Sequence, residues 1–211
     1  MAYRYWELEK IIDGFSYQYA GPDEDAIIII RENEWANSVG VRFRAPLKDL
    51  DSYIKYINER RLEEAIVRVS DLSFLEQCPT LKHLIIKPPI GFEGEYDYSP
   101  LYRLPYIRGL WCSAYSGKYE EYINKLDYSK INGLEAIGVQ VTSGMKNFEK
   151  ISTLKFLDKL KNLQIFGFDV NVEDGDLSPC LRLPTVWCYQ GRRHYNLKNK
   201  DLPKRPYRGE R

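Results

Sequence analysis

Residues 97–112 read DYSPLYRLPYIRGLWC, and this stretch decides the fold. Two others align with it on their first aspartate: DLSFLEQCPTLKHLII at 71–86 and DLSPCLRLPTVWCYQG at 176–191. An aliphatic residue or Cys stands four positions on (Leu75, Leu101, Cys180) and again at seven (Cys78, Leu104, Leu183), with Pro next (Pro79, Pro105, Pro184). Apolar residues return at ten (Leu81, Ile107, Val186) and at thirteen (Leu84, Leu110, Tyr189). A fixed pattern at this period marks a chain built from stacked supersecondary units, none of which buries its apolar face alone.

Two weaker copies complete the series. TLKFLDKLKNLQIFGF from Thr153 places Leu157, Leu160, Leu163, Phe166 and Phe168 at the same offsets. DYSKINGLEAIGV from Asp127 fits once about one turn is deleted from its middle, leaving Leu134, Ile137 and Val139 as its strand. The pattern resembles the internalin-like, 3₁₀-helical class of leucine-rich repeats, with its D-x-S-P-L-x-x-L signature most evident at Asp97-Tyr98-Ser99-Pro100-Leu101 and Asp176-Leu177-Ser178-Pro179. The resemblance covers about residues 65–192, with insertions after Lys87 and Cys112 that break the strict period. It implies an α/β leucine-rich-repeat solenoid of about five irregular repeats, with a parallel sheet on the concave side.

Each position then has a physical reason. An aspartate ahead of a short helix accepts from the free N–H groups of its first turn, and Pro suits a position whose N–H is unneeded. Asp71, Asp97, Asp127 and Asp176 are therefore structural rather than catalytic. Cys78, Cys112 and Cys180 fall at inward offsets, where free Cys acts as a small hydrophobe. Cys188 falls at an outward one. The four cysteines show no CxxC spacing, so neither a disulfide framework nor a zinc site is indicated.

Ahead of the repeats, residues 26–31 (AIIIIR) and 39–43 (VGVRF) read as strands. Leu50, Ile54 and Ile57 recur at helical spacing within 48–61, and 65–69 reads as the strand that leads into the repeats. Residues 1–64 are thus an N-terminal α/β cap for the solenoid of 65–192, or a module with a function of its own. After Gly191 the chain is poor in aliphatics and rich in base, so 193–211 reads either as a flexible tail or as a basic arm for nucleic acid or an acidic protein.

Charge narrows the partner. With 31 Lys and Arg against 30 Asp and Glu, the chain as a whole gives no electrostatic argument for nucleic acid. The start, MAYRYWELEK, has no apolar run, and 27–30 is far short of a membrane span, so no membrane partner and a cytoplasmic location are expected. No HExxH, GxSxG, P-loop or GxGxxG occurs, and the acidic pairs Glu63-Glu64 and Glu120-Glu121 read as solvated surface. A non-enzymatic chain with no cofactor, no metal and no small-molecule substrate is expected. The seventeen tyrosines suit either a recognition surface or the edges of a thin core.

What remains is the outward strand face. Its expected protein-binding residues are His83, Ile85, Lys87, Trp111, Ser113, Gln140, Ile165, Asp169 and Gln190. One row places Ile85 and Trp111 beside Gly138, Gly167 and Gln190. That row is either an apolar patch with room above it or is buried beneath the two insertions. By analogy with small stand-alone proteins of this kind, the reading is a bacterial protein-binding scaffold with an immunity or antitoxin-like role. A nucleic-acid-binding protein or enzyme acting through the cap or tail, and a structural subunit of a homo-oligomer, are the alternatives.

Overall fold

The computed structural model describes residues 28–31, 50–86, 96–114, 126–141 and 150–204. They form an α/β fold with a seven-stranded, wholly parallel sheet. Its strands are β1 (Ile28–Arg31), β2 (Glu64–Arg68), β3 (His83–Ile86), β4 (Gly109–Ala114), β5 (Ala136–Val141), β7 (Ile165–Phe168) and β9 (Thr185–Cys188), neighbours in that order. Two short strands, β6 (Lys150–Ile151) and β8 (Asn171–Val172), pair in a second sheet. Helix α1 (Leu50–Arg60) precedes β2 and packs Ile54 and Ile57 into the core. The expected strand at 39–43 lies outside the described residues.

Parallel neighbours need a crossover; α1 lies between β1 and β2, and each later crossover in the sheet contains a short 3₁₀ helix. Ser73–Gln77, Ser99–Arg103, Tyr128–Lys130, Lys155–Lys159 and Ser178–Arg182 lead into β3, β4, β5, β7 and β9 in turn. The residue two ahead of each helix's first position, or of its second in the Tyr128–Lys130 helix, sets the turn. Asp71 Oδ1 accepts from Ser73 N at 2.8 Å, Asp97 from Ser99 at 2.8 Å, Asp127 from Ser129 at 3.1 Å and Asp176 from Ser178 at 2.9 Å. Thr153 Oγ1 does the same for Lys155 N at 3.3 Å. The four aspartates thus perform one local geometric task, an Asx turn, four times over.

The pleat sorts the side chains. Ala65, Leu84, Leu110, Ile137, Phe166 and Val186 are in register across the sheet, as are Val67, Ile86, Cys112, Val139, Phe168 and Cys188. Both rows point into one core with the leucines of the 3₁₀ helices and turns, among them Leu75, Leu101, Leu134, Leu157 and Leu183. Cys188 is therefore inward, not outward as its sequence offset suggested. The third unit reaches its first inward strand residue in ten positions (Asp127 to Ile137), and so does the fifth (Asp176 to Val186), against thirteen in the others. The third has the shorter helix, while the fifth passes from Leu183 almost directly into β9.

Tyrosines tie successive units together through their hydroxyls. Tyr106 donates to Leu75 O at 3.0 Å, Tyr96 donates to Val69 O, and Tyr102 accepts from Asp127 N at 3.0 Å. Burial raises the pKa of both Tyr102 and Tyr106. A ring at the core edge with its hydroxyl on a neighbouring backbone is the structural use of Tyr.

Residues 193–204 pack against the last unit, and 205–211 lie outside the described residues. Tyr195 is buried; its hydroxyl accepts from Val172 N at 3.1 Å and donates to Val170 O at 3.2 Å. Asn196 closes the Asx turn of the fifth unit, donating to Asp176 Oδ1 at 2.7 Å and accepting from Leu177 N at 2.9 Å. Leu202 is buried, Val186 N donates to Pro203 O at 2.9 Å, and Lys204 bridges Thr185 in antiparallel fashion. This segment covers part of the sheet edge that β9 would otherwise leave unpaired.

Candidate functional site: the outward strand face

Alternation along the strands gives the second face its own rows. The central row runs Ile66, Ile85, Trp111, Gly138, Gly167 and Trp187. The row toward the strand starts runs Glu64, His83, Gly109, Ala136, Ile165 and Thr185. Because the fifth unit is short, Trp187 and not Gln190 occupies its place in the central row. Gln190 lies beyond β9, half-buried.

Of the two readings left open for the central row, exposure or burial, burial is the one seen. Trp111 and Ile85 are both 0 % accessible, and Ile66, Ala136, Ile165 and Asp169 are buried with them. Two glycines give the indole of Trp111 its place against the sheet. A Cβ on Gly138 would stand 1.7 Å from Cε3 of Trp111, and one on Gly167 would stand 2.9 Å from its Cη2. The room over these glycines is filled by the indole of Trp111, which crosses β5 and reaches β7. Trp187 approaches Gly167 from the far side, with Cε3 at 3.8 Å from the same Cβ position. Tyr189 meets Trp111 edge-on, with centroids 6.5 Å apart and planes at 70°.

Among the described residues the central row is more open at β9 than at β2 to β4. Trp187 is half-buried and Tyr189 is 47 % exposed. Among the described residues, Tyr189 and Leu181 are the exposed large hydrophobics. Of the nine expected contact residues, His83 is half-buried rather than solvent-facing, and Lys87 and the side chains of Ser113 and Gln140 lie outside the described residues. The backbones of Ser113 and Gln140 are opposite each other in the β4–β5 register. Trp187 and Tyr189 were missed because sequence alignment carried the full-length spacing into a unit three residues shorter.

The charged groups near the strand starts are structural in arrangement. Glu63, expected at a solvated surface, pairs with Lys82, while Glu64 is buried. Arg108 faces Glu135 at 3.8 Å. Burial pulls the His83 pKa down, against the opposing pull of Glu63 and Glu135. The thiols are deep: burial pushes Cys78 up to about 11 and Cys180 up to about 12, and raises Cys188 as well. Among the described residues no group of three or more His, Cys, Asp or Glu is gathered to hold a metal ion. No helix among them is long and apolar enough to cross a membrane.

No protein-family model, curated protein or solved structure matches this chain at a significant level.

Proposed function

We propose that this chain is a leucine-rich-repeat-like solenoid acting as a non-catalytic protein-binding scaffold, and that its contact surface lies at the β9 end of the outward face. The repeat reading is supported by five 3₁₀-helix-to-strand units, each opened by an Asx or Thr turn at the position the sequence period marks. The observation that carries the binding reading is the exposure of Tyr189 beside the half-buried Trp187, on the rigid floor that Trp111 makes with Gly138 and Gly167. Aromatic side chains held by a packed framework lose little freedom on association and are enriched among binding hot spots.

The test is affinity capture from the native cell, comparing the wild-type chain with a Trp187→Ala, Tyr189→Ala double variant. A stoichiometric protein partner held by the wild type and lost from the double variant is expected. Capture of the same partner by both chains, or of none, overturns the reading.

A further inference from the structure

Among the described residues two glycines have left-handed φ, Gly133 at +86° and Gly175 at +67°. Each follows a residue whose side chain has a carbonyl carbon bonded to Cβ, Asn132 and Asp174. Such a pair can react with itself, because glycine has no Cβ to shield its N–H from the side chain before it. A further pair of this kind, Asp13-Gly14, lies outside the described residues. The fold treats the two described pairs differently.

Asp174-Gly175 is held in place. Gly175 is buried, and its N–H donates to Val172 O at 3.1 Å. Asp174 N donates to Ser152 O at 3.3 Å, and Asp174 Oδ1 accepts from Asp176 N at 3.0 Å. Asn132-Gly133 is not held. It forms the turn ahead of Leu134, where the other units have Pro79-Thr80, Pro105-Tyr106 and Lys161-Asn162. Asn132 is exposed, and among the described residues neither its side-chain amide nor the Gly133 N–H has a hydrogen-bond partner. The Arg108 guanidinium lies beside this turn, with Nη1 2.6 Å from where a Gly133 Cβ would stand. A cation at that range favours the anionic form of a neighbouring group, here the deprotonated Gly133 nitrogen.

We propose that Asn132-Gly133 is a self-modification site, at which the folded chain converts to aspartyl and isoaspartyl forms with water as the only co-reactant. The Gly133 nitrogen gives its proton to hydroxide and attacks Asn132 Cγ. The new N–Cγ bond closes a cyclic imide, the Cγ–Nδ2 bond breaks, and ammonia leaves with a proton from water. Water then opens the imide at either carbonyl, giving aspartate from one and isoaspartate from the other. Nothing is oxidised or reduced. Either product adds a negative charge to a chain whose formal net charge is +1. The isoaspartyl form also routes the main chain through Cβ and so lengthens it by a carbon atom. That atom enters between two fastened points. Ile131 N donates to Tyr128 O at 3.1 Å, and Glu135 N donates to Arg108 O at 2.7 Å. Ile131 and Leu134 are both buried beside the turn, so the junction of β4 with β5 takes up the extra length.

The test incubates the full chain in heavy-oxygen water at mildly alkaline pH, native and in denaturant, and maps its peptides by mass spectrometry after chromatography that separates aspartate from isoaspartate. In the native chain position 132 is expected to appear as labelled aspartate and isoaspartate, while Asp174 stays unlabelled. In denaturant both pairs are expected to react, so each is judged against its own unfolded rate. Asn132→Gln, whose longer side chain closes this ring poorly, is expected to lose the product, with circular dichroism confirming its fold. Hydrogen exchange at Glu135 and Ala136 is expected to be faster in the isoaspartyl form than in Asn132→Asp, which has the charge without the extra atom. Asn132 that survives in the native chain while the denatured chain converts overturns the proposal. So does aspartate without isoaspartate, the mark of direct hydrolysis. Native Asp174 isomerising as fast as it does in denaturant refutes the protection argued from its hydrogen bonds, and equal exchange in the two forms refutes the effect on the junction.

Discussion

The indole of Trp111 lies flat against the backbone of Gly138, so close that a Cβ there would stand 1.7 Å from its Cε3. Gly138→Ala must therefore move a wholly buried ring, and overpacking of this kind costs about 1–3 kcal/mol. Urea denaturation is expected to show that loss. Gly191→Ala, with nothing within 4 Å of its Cβ, is the control and is expected to leave the midpoint unchanged.

The Asx turns make a second prediction. Asp127 accepts from both the backbone N–H and the hydroxyl of Ser129, at 3.1 and 2.6 Å. Asp127→Ala removes both bonds at the head of the shortest of the five crossover helices, and loss of such a cap costs about 1 kcal/mol. Asp127→Asn keeps an acceptor in place and is expected to recover most of the loss in the same denaturation assay.

The same turns carry a pH dependence. Hydrogen bonds from Ser129 hold Asp127 below its ordinary pKa, and those from Ser178 do the same for Asp176. A carboxylate depressed in the folded state stabilises it above the unfolded value, about 3.9 for Asp, and that stability is lost as pH falls through the folded value. Thermal melts across the acid range are expected to fall less steeply for Asp127→Asn combined with Asp176→Asn than for the wild type. Parallel curves would show that these two groups do not govern acid unfolding.

Period and composition were sufficient for the core. Leu84, Leu110, Ile137 and Phe166 all point inward where the repeat placed them, and the aspartates cap where capping chemistry required. The last unit was misread because Pro184 sits where Pro79 and Pro105 sit, while the turn that follows Pro in those units is missing here. That displacement exchanged Trp187 for Gln190 and turned Cys188 the wrong way. Trp111 was placed in its row beside Gly138 and Gly167, and what stayed open was its burial. Alternation tells which face a side chain leaves by, but the reach of an indole across two neighbouring glycines depends on register between distant segments, which no single strand encodes.

Thiol chemistry gives a fourth prediction. Cys78 and Cys180 are buried in the core, with pKa values pushed up to about 11 and about 12. Only thiolate reacts with alkylating and disulfide reagents. Neither is expected to be labelled in the native protein at mildly alkaline pH, and both are expected to react fully in denaturant. Mass mapping of the labelled sites decides; native labelling of Cys180 would contradict its placement.

A fifth concerns the C-terminal segment. Tyr195→Phe deletes the hydroxyl that serves Val172 N and Val170 O, leaving buried backbone groups without it. A loss of about 1–3 kcal/mol is expected. Hydrogen exchange should place the loosened amides in β8 and the fifth unit, with β3 and β4 unaffected.

At four successive junctions one backbone carbonyl accepts two N–H groups from the next unit, and at the last, where Pro184 has no N–H, Gln164 O accepts Thr185 N alone. Glu63 O takes Lys82 and His83, Lys82 O takes Arg108 and Gly109, Arg108 O takes Glu135 and Ala136, and Glu135 O takes Gln164 and Ile165. Every unit is thus fastened at its strand start to the one before it. Under a pulling force applied at the C-terminal end, such a chain gives way one rung at a time. Its resistance is set by whichever rung is then outermost, so the molecule behaves as a zipper whose slider is the segment folded over β9.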